Sequence, residues 1–229
     1  SASWTLRKKS TGSIWTDMGS PALPILSALF TAFWGTLYFQ NRKRKKKWPL
    51  FFKAAATCMP LGEAFFYCLS DGFQNPVRLG ITVGALFCAA ADVLLELHFL
   101  SGMAVFALGH VCFLAALLHA VPLPFRHFLF FLPLFAASLL FHGRHLPKTG
   151  KLALPIVVYG ALLSAMTAAA LAALRISPMA AAGALLFYLS DNMICLRLYK
   201  PGRSDAFSAF VLIFYYSAVW LLCSSARFF

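Results

Sequence analysis

Charge is scarce in this sequence, and acidic charge is the scarcest. Charged residues fill 12% of the 229 positions against 61% hydrophobic ones, and seven Asp and Glu stand against twenty Lys and Arg. A soluble domain carries roughly 25% charged residues, so this much apolar surface has no soluble fold to hide in. Paired cysteine spacings are also missing. Cys58, Cys68, Cys88, Cys112, Cys195 and Cys223 all fall inside apolar segments, which excludes a zinc ribbon or disulfide framework and leaves them as small packing residues. No two histidines stand at i, i+4, the spacing that puts two ligands on one helical turn, and His142 and His145 meet at a loop boundary, so no metal is expected. There is neither a Gly-x-Ser-x-Gly elbow nor a phosphate-binding glycine loop, which disfavours covalent serine chemistry. Residues 1–20 lack the apolar stretch of a signal peptide and are expected to form an N-terminal tail.

What the chain has instead is span-length apolar runs from end to end. Runs bounded by charge, Pro or Gly predict eight membrane helices, at 22–40, 49–69, 79–97, 102–121, 127–141, 153–173, 178–198 and 205–223. The fifth, rich in Phe and carrying Pro133, is short for a bilayer and is expected to be thin, tilted or partly interfacial. The fold class is therefore all-α and polytopic, with one transmembrane domain over 21–229 and no room for a separate soluble one.

The net charge of +13 does not indicate nucleic acid, because the basic residues cluster in the gaps between apolar runs. The first, third, fifth and seventh loops and their flanks hold twelve of them: Arg42, Lys43, Arg44, Lys45, Lys46, Lys47, Arg144, Lys148, Lys151, Arg197, Lys200 and Arg203. The other side holds seven: Arg7, Lys8, Lys9, Arg78, Arg126, Arg175 and Arg227. The positive-inside rule then puts the odd loops in the cytosol and both termini outside. The run from Asn41 to Lys47 reads as a solvated loop meeting anionic lipid.

Two segments echo each other. VGALFCAAAD ends at Asp92 and AGALLFYLSD ends at Asp191, 99 residues later and after an even number of spans, so both run the same way through the membrane. This suggests a 4+4 parallel repeat, whose site would lie at the interface of the halves and bring the two aspartates together. A mid-membrane carboxylate costs about 2.5 to 3.5 kcal/mol on insertion scales and normally faces a partner or a polar cavity. Gly84, Ala85, Cys88 and Ala89 share the helix face of Asp92, and Gly183 and Ala184 form a matching notch before Asp191, although Phe187 and Tyr188 make that face bulkier. A cavity against the aspartates is expected there.

Lys53, His110 and Tyr159 begin their own spans at the same side, so five polar groups from five helices are expected at similar depth. Each also has a plainer reading: Lys53 as a residue snorkelling to the interface, His110 as a core histidine bonded to a carbonyl, Tyr159 as a hydrogen-bonded aromatic. Glu96, one turn beyond Asp92, reads as a solvated helix-end residue, and Glu63 lies on the outer half of its span. Three classes accommodate the aspartate pair: a hydrolase using paired carboxyls, an ion- or proton-coupled transporter, and an intramembrane aspartyl protease. The last lacks its Tyr-Asp and Gly-x-Gly-Asp motifs here.

The segments GALFCAAADVLLEL, FLSGMAVFALGH, PIVVYGALLSAM, GALLFYLSDNMICL and FYYSA, spread over most of residues 50–223, resemble the lysoplasmalogenases, the YhhN-type integral membrane hydrolases of bacteria and animals. The sequence departs from that pattern at Ala91, where Gly is frequent, at Phe113, where Tyr is frequent, and at Val219 or Trp220, where Gln is common. The resemblance implies hydrolysis of the vinyl ether of a lysoplasmalogen to a fatty aldehyde and a glycerophospho-alcohol, with lysophospholipid and membrane lipid as partners and no cofactor. It implies Asp92 and Asp191 as catalytic residues, one protonated and one ionised, much as in glycosidases. Lys53, His110, Tyr159, Ser190 and Tyr215 would bind or support. Such a protein would sit in the endoplasmic reticulum membrane of an animal or the cytoplasmic membrane of a bacterium.

The orientation is testable by cysteine accessibility. A reporter introduced as Lys45→Cys should be modified only from the cytosolic side, and modification solely from outside would reverse the assignment.

Overall fold

The helices begin and end where local chemistry dictates. In the computed structural model, which describes residues 21–43, 48–121, 124–199 and 204–229, Asn75 caps one helix by accepting from the amides of Val77 and Arg78 at 2.9 and 3.3 Å, with Pro76 in the first helical position. Both are favoured starts, since a side-chain acceptor satisfies orphan amides and proline lacks one. Ser204 does the same for the last helix through Phe207. Tail residues 1–20, Arg44 to Lys47 of the basic run, and Lys200 and Arg203 lie outside the described residues.

Among the described residues eight α-helices result: α1 (Ala22–Asn41), α2 (Trp48–Ser70), α3 (Pro76–Leu97), α4 (Phe99–Ala120), α5 (Pro124–Gly143), α6 (Ala153–Ala172), α7 (Pro178–Tyr199) and α8 (Asp205–Ser225), with 3-10 turns at Leu146–Leu152 and Ala226–Phe228. No strand occurs among the described residues. Seven of the eight are long and apolar enough to cross a bilayer, which makes this a multi-pass membrane protein. The eighth, α2, has the length at 23 residues but not the hydropathy. Its polar residues Lys53, Thr57 and Glu63 are buried, while Trp48, Phe51, Phe65 and Leu69 are exposed. Its amphipathy is thus inverted relative to a soluble helix, as suits one that shows its apolar face to lipid. The expectation of a short fifth span is corrected: α5 runs 20 residues through Pro133, because the flanking residues 124–126, 142 and 143 join the helix, Arg126 and His142 among them despite their polarity.

Packing follows the two-half pattern. Within each half the first helix packs on the second and the third on the fourth; across the halves, α2 packs on α8 and α4 on α6. The glycine notches serve these contacts. A Cβ on Gly84 would lie 2.8 Å from the Phe113 ring of α4, and one on Gly183 would lie 3.0 Å from the Ala218 carbonyl oxygen of α8. The notches before the aspartates are therefore filled by helices, and the cavity expected against Asp92 opens elsewhere on its surroundings, beside Lys53 and Glu96.

Gly84→Ala should lower the melting temperature in detergent, because Phe113 is fully buried and overpacking typically costs about 1–3 kcal/mol. Gly62→Ala, with nothing within 4 Å of the added methyl, should instead hold or slightly raise it, glycine in a helix being worse than alanine by roughly 0.5–1 kcal/mol.

Candidate active site

Asp92 is 1% exposed, and four helices supply its surroundings. One carboxyl oxygen, Oδ2, accepts hydrogen bonds from Thr57 Oγ1 of α2 and, at 2.8 Å, from the Tyr215 hydroxyl of α8. Lys53 Nζ stands 3.8 Å from the other oxygen and donates to Glu96 Oε1 at 3.0 Å. The Tyr38 hydroxyl of α1 donates to the same Glu96 oxygen at 2.6 Å. Lys53 and Thr57 are one turn apart on α2, as are Asp92 and Glu96 on α3, so two i, i+4 ladders face each other. Lys53 is turned into the protein and does not snorkel; at 6% exposed, its ammonium lies among two carboxylates.

Asp191, 4% exposed on α7, has a separate set of partners. Its Oδ2 accepts from the Tyr159 hydroxyl of α6, and His110 Nε2 of α4 lies 3.1 Å from that oxygen and 3.0 Å from the Tyr159 oxygen. With the tyrosine donating to that oxygen, the imidazole that meets both oxygens is a donor at Nε2. Ser190 faces away: its hydroxyl donates to the Val211 carbonyl at 3.2 Å and ties α7 to α8. Asn192, on the far side of Asp191, takes a bond from Ser138 at 3.0 Å and lies 2.8 Å from His142 Nε2, so α5 braces α7.

The two carboxyls thus form two clusters rather than the single gathering expected from their depth. Among the described residues no hydrogen bond or ion pair joins Asp92 to Asp191. Aromatic rings stand between them: Phe187 lies edge-on to His110 at 4.6 Å and to Tyr215 at 5.6 Å, and Phe106 contacts both Phe187 and Tyr215. Edge-to-face packing of this kind is stable and dry. The partner sets nevertheless match in kind. Each aspartate receives a donor from the helix before it, Thr57 or Tyr159, and one from the last helix of the other half, Tyr215 or His110.

Asp92 lies on the wall of a cavity of about 430 Å³, together with Tyr38, Lys53, Glu96 and Tyr215. Arg42, Lys43 and Asp205 stand at its rim, both cations pairing with Asp205 at 2.7 Å. Asp191 and Tyr159 line a much smaller space, about 20 Å³, whose other walls Leu95, Phe99, Phe106 and Ile194 include four shared with the larger cavity. The site therefore has one roomy, charged chamber and one tight recess, with Phe106 and Ile194 between them. A small polar head fits the first.

Sequence reasoning missed Thr57, Glu96 and Tyr38. Thr57 and Glu96 carry a readable signal, one helical turn from Lys53 and Asp92 respectively, and Glu96, exposed at its helix end as expected, also accepts from two donors. Tyr38 carries none. At the departures from the family pattern, Phe113 fills the Gly84 notch, Ala91 and Val219 are buried in helix packing, and Trp220 donates to the Pro24 carbonyl at 3.0 Å.

Removing one partner of a buried pair strands the other charge and costs about 3–5 kcal/mol, whereas removing both is often tolerated. Lys53→Met should therefore markedly lower the unfolding temperature of the purified protein, and adding Asp92→Asn to that variant should recover part of the loss. Additive destabilisation in the double variant would show that the two side chains do not act as a pair.

Neither a curated protein nor a solved structure matches the chain. The sequence profile of the YhhN family matches residues 48–226, from the start of α2 to the end of α8, and so takes in both aspartates and every side chain bonded to them, while Tyr38, Arg42 and Lys43 lie before it. The chain belongs to the YhhN family.

Proposed function

We propose that this protein is a membrane-embedded lysoplasmalogenase, hydrolysing the vinyl ether of a single-chain ether lipid to a fatty aldehyde and a glycerophospho-alcohol. One observation carries the reading: the Asp92 carboxyl, buried in a membrane helix, is at once matched by Lys53 and placed on the wall of a cavity large enough for a lipid head region. Family membership supports it.

The chemistry divides between the two carboxyls. Vinyl ether cleavage begins when a proton is delivered to the carbon beyond the C–O carbon, which creates an oxocarbenium ion. Asp191, sharing hydrogen bonds with His110 and Tyr159 and facing no lysine, acts as the acid. Asp92, beside Lys53 and oriented by Thr57 and Tyr215, stabilises the cation and takes a proton from the attacking water. The resulting hemiacetal collapses as Asp92 returns that proton to the departing glycerol oxygen and the hemiacetal hydroxyl re-protonates Asp191. The products are an aldehyde and an alcohol, and the protein ends as it began. The division of labour follows that of glycosidases, where two carboxyls in unlike surroundings serve as acid and as stabiliser.

Asp92→Asn and Asp191→Asn should each abolish aldehyde release from lysoplasmalogen while leaving folded, extractable protein, since general acid catalysis alone contributes about 10²–10⁴-fold. The loss should fall on turnover more than on lipid binding. The active protein should also be slower in D₂O and should place solvent deuterium at the aldehyde's α-carbon. Near-normal turnover by both variants would sink the paired-carboxyl mechanism, and ion flux lost in both variants of a protein that cleaves no lysoplasmalogen would make the chain a transporter.

A further inference from the structure

A second opening lies outside the site, where α1 and α8 run side by side. It is a groove of about 450 Å³, floored by Gly35 and Tyr216 and walled by Ala28, Ala32, Ala209 and Ile213. Gly35 sets its depth: a Cβ there would lie 3.0 Å from the Tyr216 ring. The neighbouring residues Leu29, Phe33 and Phe210 are exposed and form the ridges beside it. Of the polar groups along it, Thr36 donates to the Ala32 carbonyl at 2.7 Å and Trp220 to Pro24, while Thr31 and Tyr216 keep their hydroxyls buried behind the surface. Apart from Ser217, what the groove presents is hydrocarbon.

We infer that this groove holds the hydrocarbon chain of the single-chain lipid whose head lies in the Asp92 cavity, an inference that rests on the lipid reading above. Three observations single out that occupant. Leu212 lines both openings, and the pairs Tyr38 and Phe39, Ser208 and Ala209, and Tyr215 and Tyr216 send neighbouring residues to one and the other, so the two spaces adjoin along both helices. The end of the groove at Phe39 is also the charged end: the Arg42 guanidinium lies 4.1 Å over the Phe39 ring, and Arg42 and Lys43 outnumber their partner Asp205. A phosphate at that rim would meet a net positive charge. Finally, the groove follows α1 from Phe39 to Ala28, which at about 1.5 Å of rise per residue is roughly 16 Å, close to half the ~30 Å hydrocarbon core. That is the depth of one leaflet. A second copy of the chain, the other natural partner for a stripe of small residues, would need neither the charged rim nor the adjoining cavity.

The test uses the full chain in detergent with a lysophosphatidylethanolamine carrying a diazirine at its chain terminus, alongside aldehyde release from lysoplasmalogens of long and short alkenyl chain. Photolabel should map to α1 and α8 around Ala28 and Trp220. Ala28→Trp, which blocks the deep end, should remove that label and lower the ratio of long-chain to short-chain turnover by about tenfold or more, the scale on which a hydrophobic pocket discriminates by methylenes. Ala209→Phe on the opposite wall should do the same, while Leu29→Trp on the adjacent ridge should behave as the unaltered protein. Unchanged labelling and an unchanged chain-length ratio in both blocked variants would overturn the groove while leaving the hydrolase reading standing. Label in the groove, lost in Ala28→Trp, from a protein that releases no aldehyde would do the reverse. Disulfide-linked dimers formed through Ala32→Cys in the membrane, with no photolabel on α1 or α8, would assign the groove to a second copy and overturn the proposal.

Discussion

The rest of this architecture depends on one constraint: a charge placed in hydrocarbon must be matched by another charge or by donors held at fixed positions. Lys53, Asp92 and Glu96 meet it together. The ammonium is shared between two carboxylates, and hydroxyls from three further residues occupy the remaining lone pairs. Because those hydroxyls come from α1, α2 and α8, satisfying the charges fixes where these helices stand relative to α3. The polar network is therefore also the scaffold that positions the bundle around the cavity, a role that uniform apolar packing between lipid-like surfaces fills poorly.

The two halves show how one frame supports two environments. Both aspartates sit on the third helix of their half, both are met from the preceding helix and from the last helix of the other half, and both follow a glycine notch. Only the chemistry of the donors differs: a lysine and a cavity attend one, a histidine and a tight aromatic recess the other. Unlike surroundings around equivalent carboxyls are what separates two protonation roles on a single fold.

Much of this was legible in the sequence, for identifiable reasons. Span positions follow from runs of apolar residues interrupted by charge, and the aspartates stand out because nothing else in a membrane helix is so costly. Lys53, His110, Tyr159 and Tyr215 all reach one of the two carboxyls, while Ser190, read from its neighbour in the chain, turns to a backbone carbonyl instead. What could not be read is what depends on tertiary packing. Depth along a helix says nothing of azimuth, so the five polar groups were expected in one place when Phe106 and Phe187 divide them. α2 looks the least membrane-like of the eight by average hydropathy because its polar side chains face inward, a distinction that averages erase. Tyr38 lies on a helix with no other marker of the site.

The local nature of the Lys53 network has a consequence for biosynthesis. A ribosome delivers α2 and α3 to the membrane long before Tyr215 exists, and each buried charge entering alone carries a penalty of about 2.5–3.5 kcal/mol on insertion scales. Lys53, Thr57, Asp92 and Glu96 belong to adjacent helices joined by the short turn at residues 71–75. A helical hairpin of α2 and α3 therefore carries its own counter-charges into the bilayer as a unit. The final helix then closes a network that is already neutral enough to have waited for it in lipid.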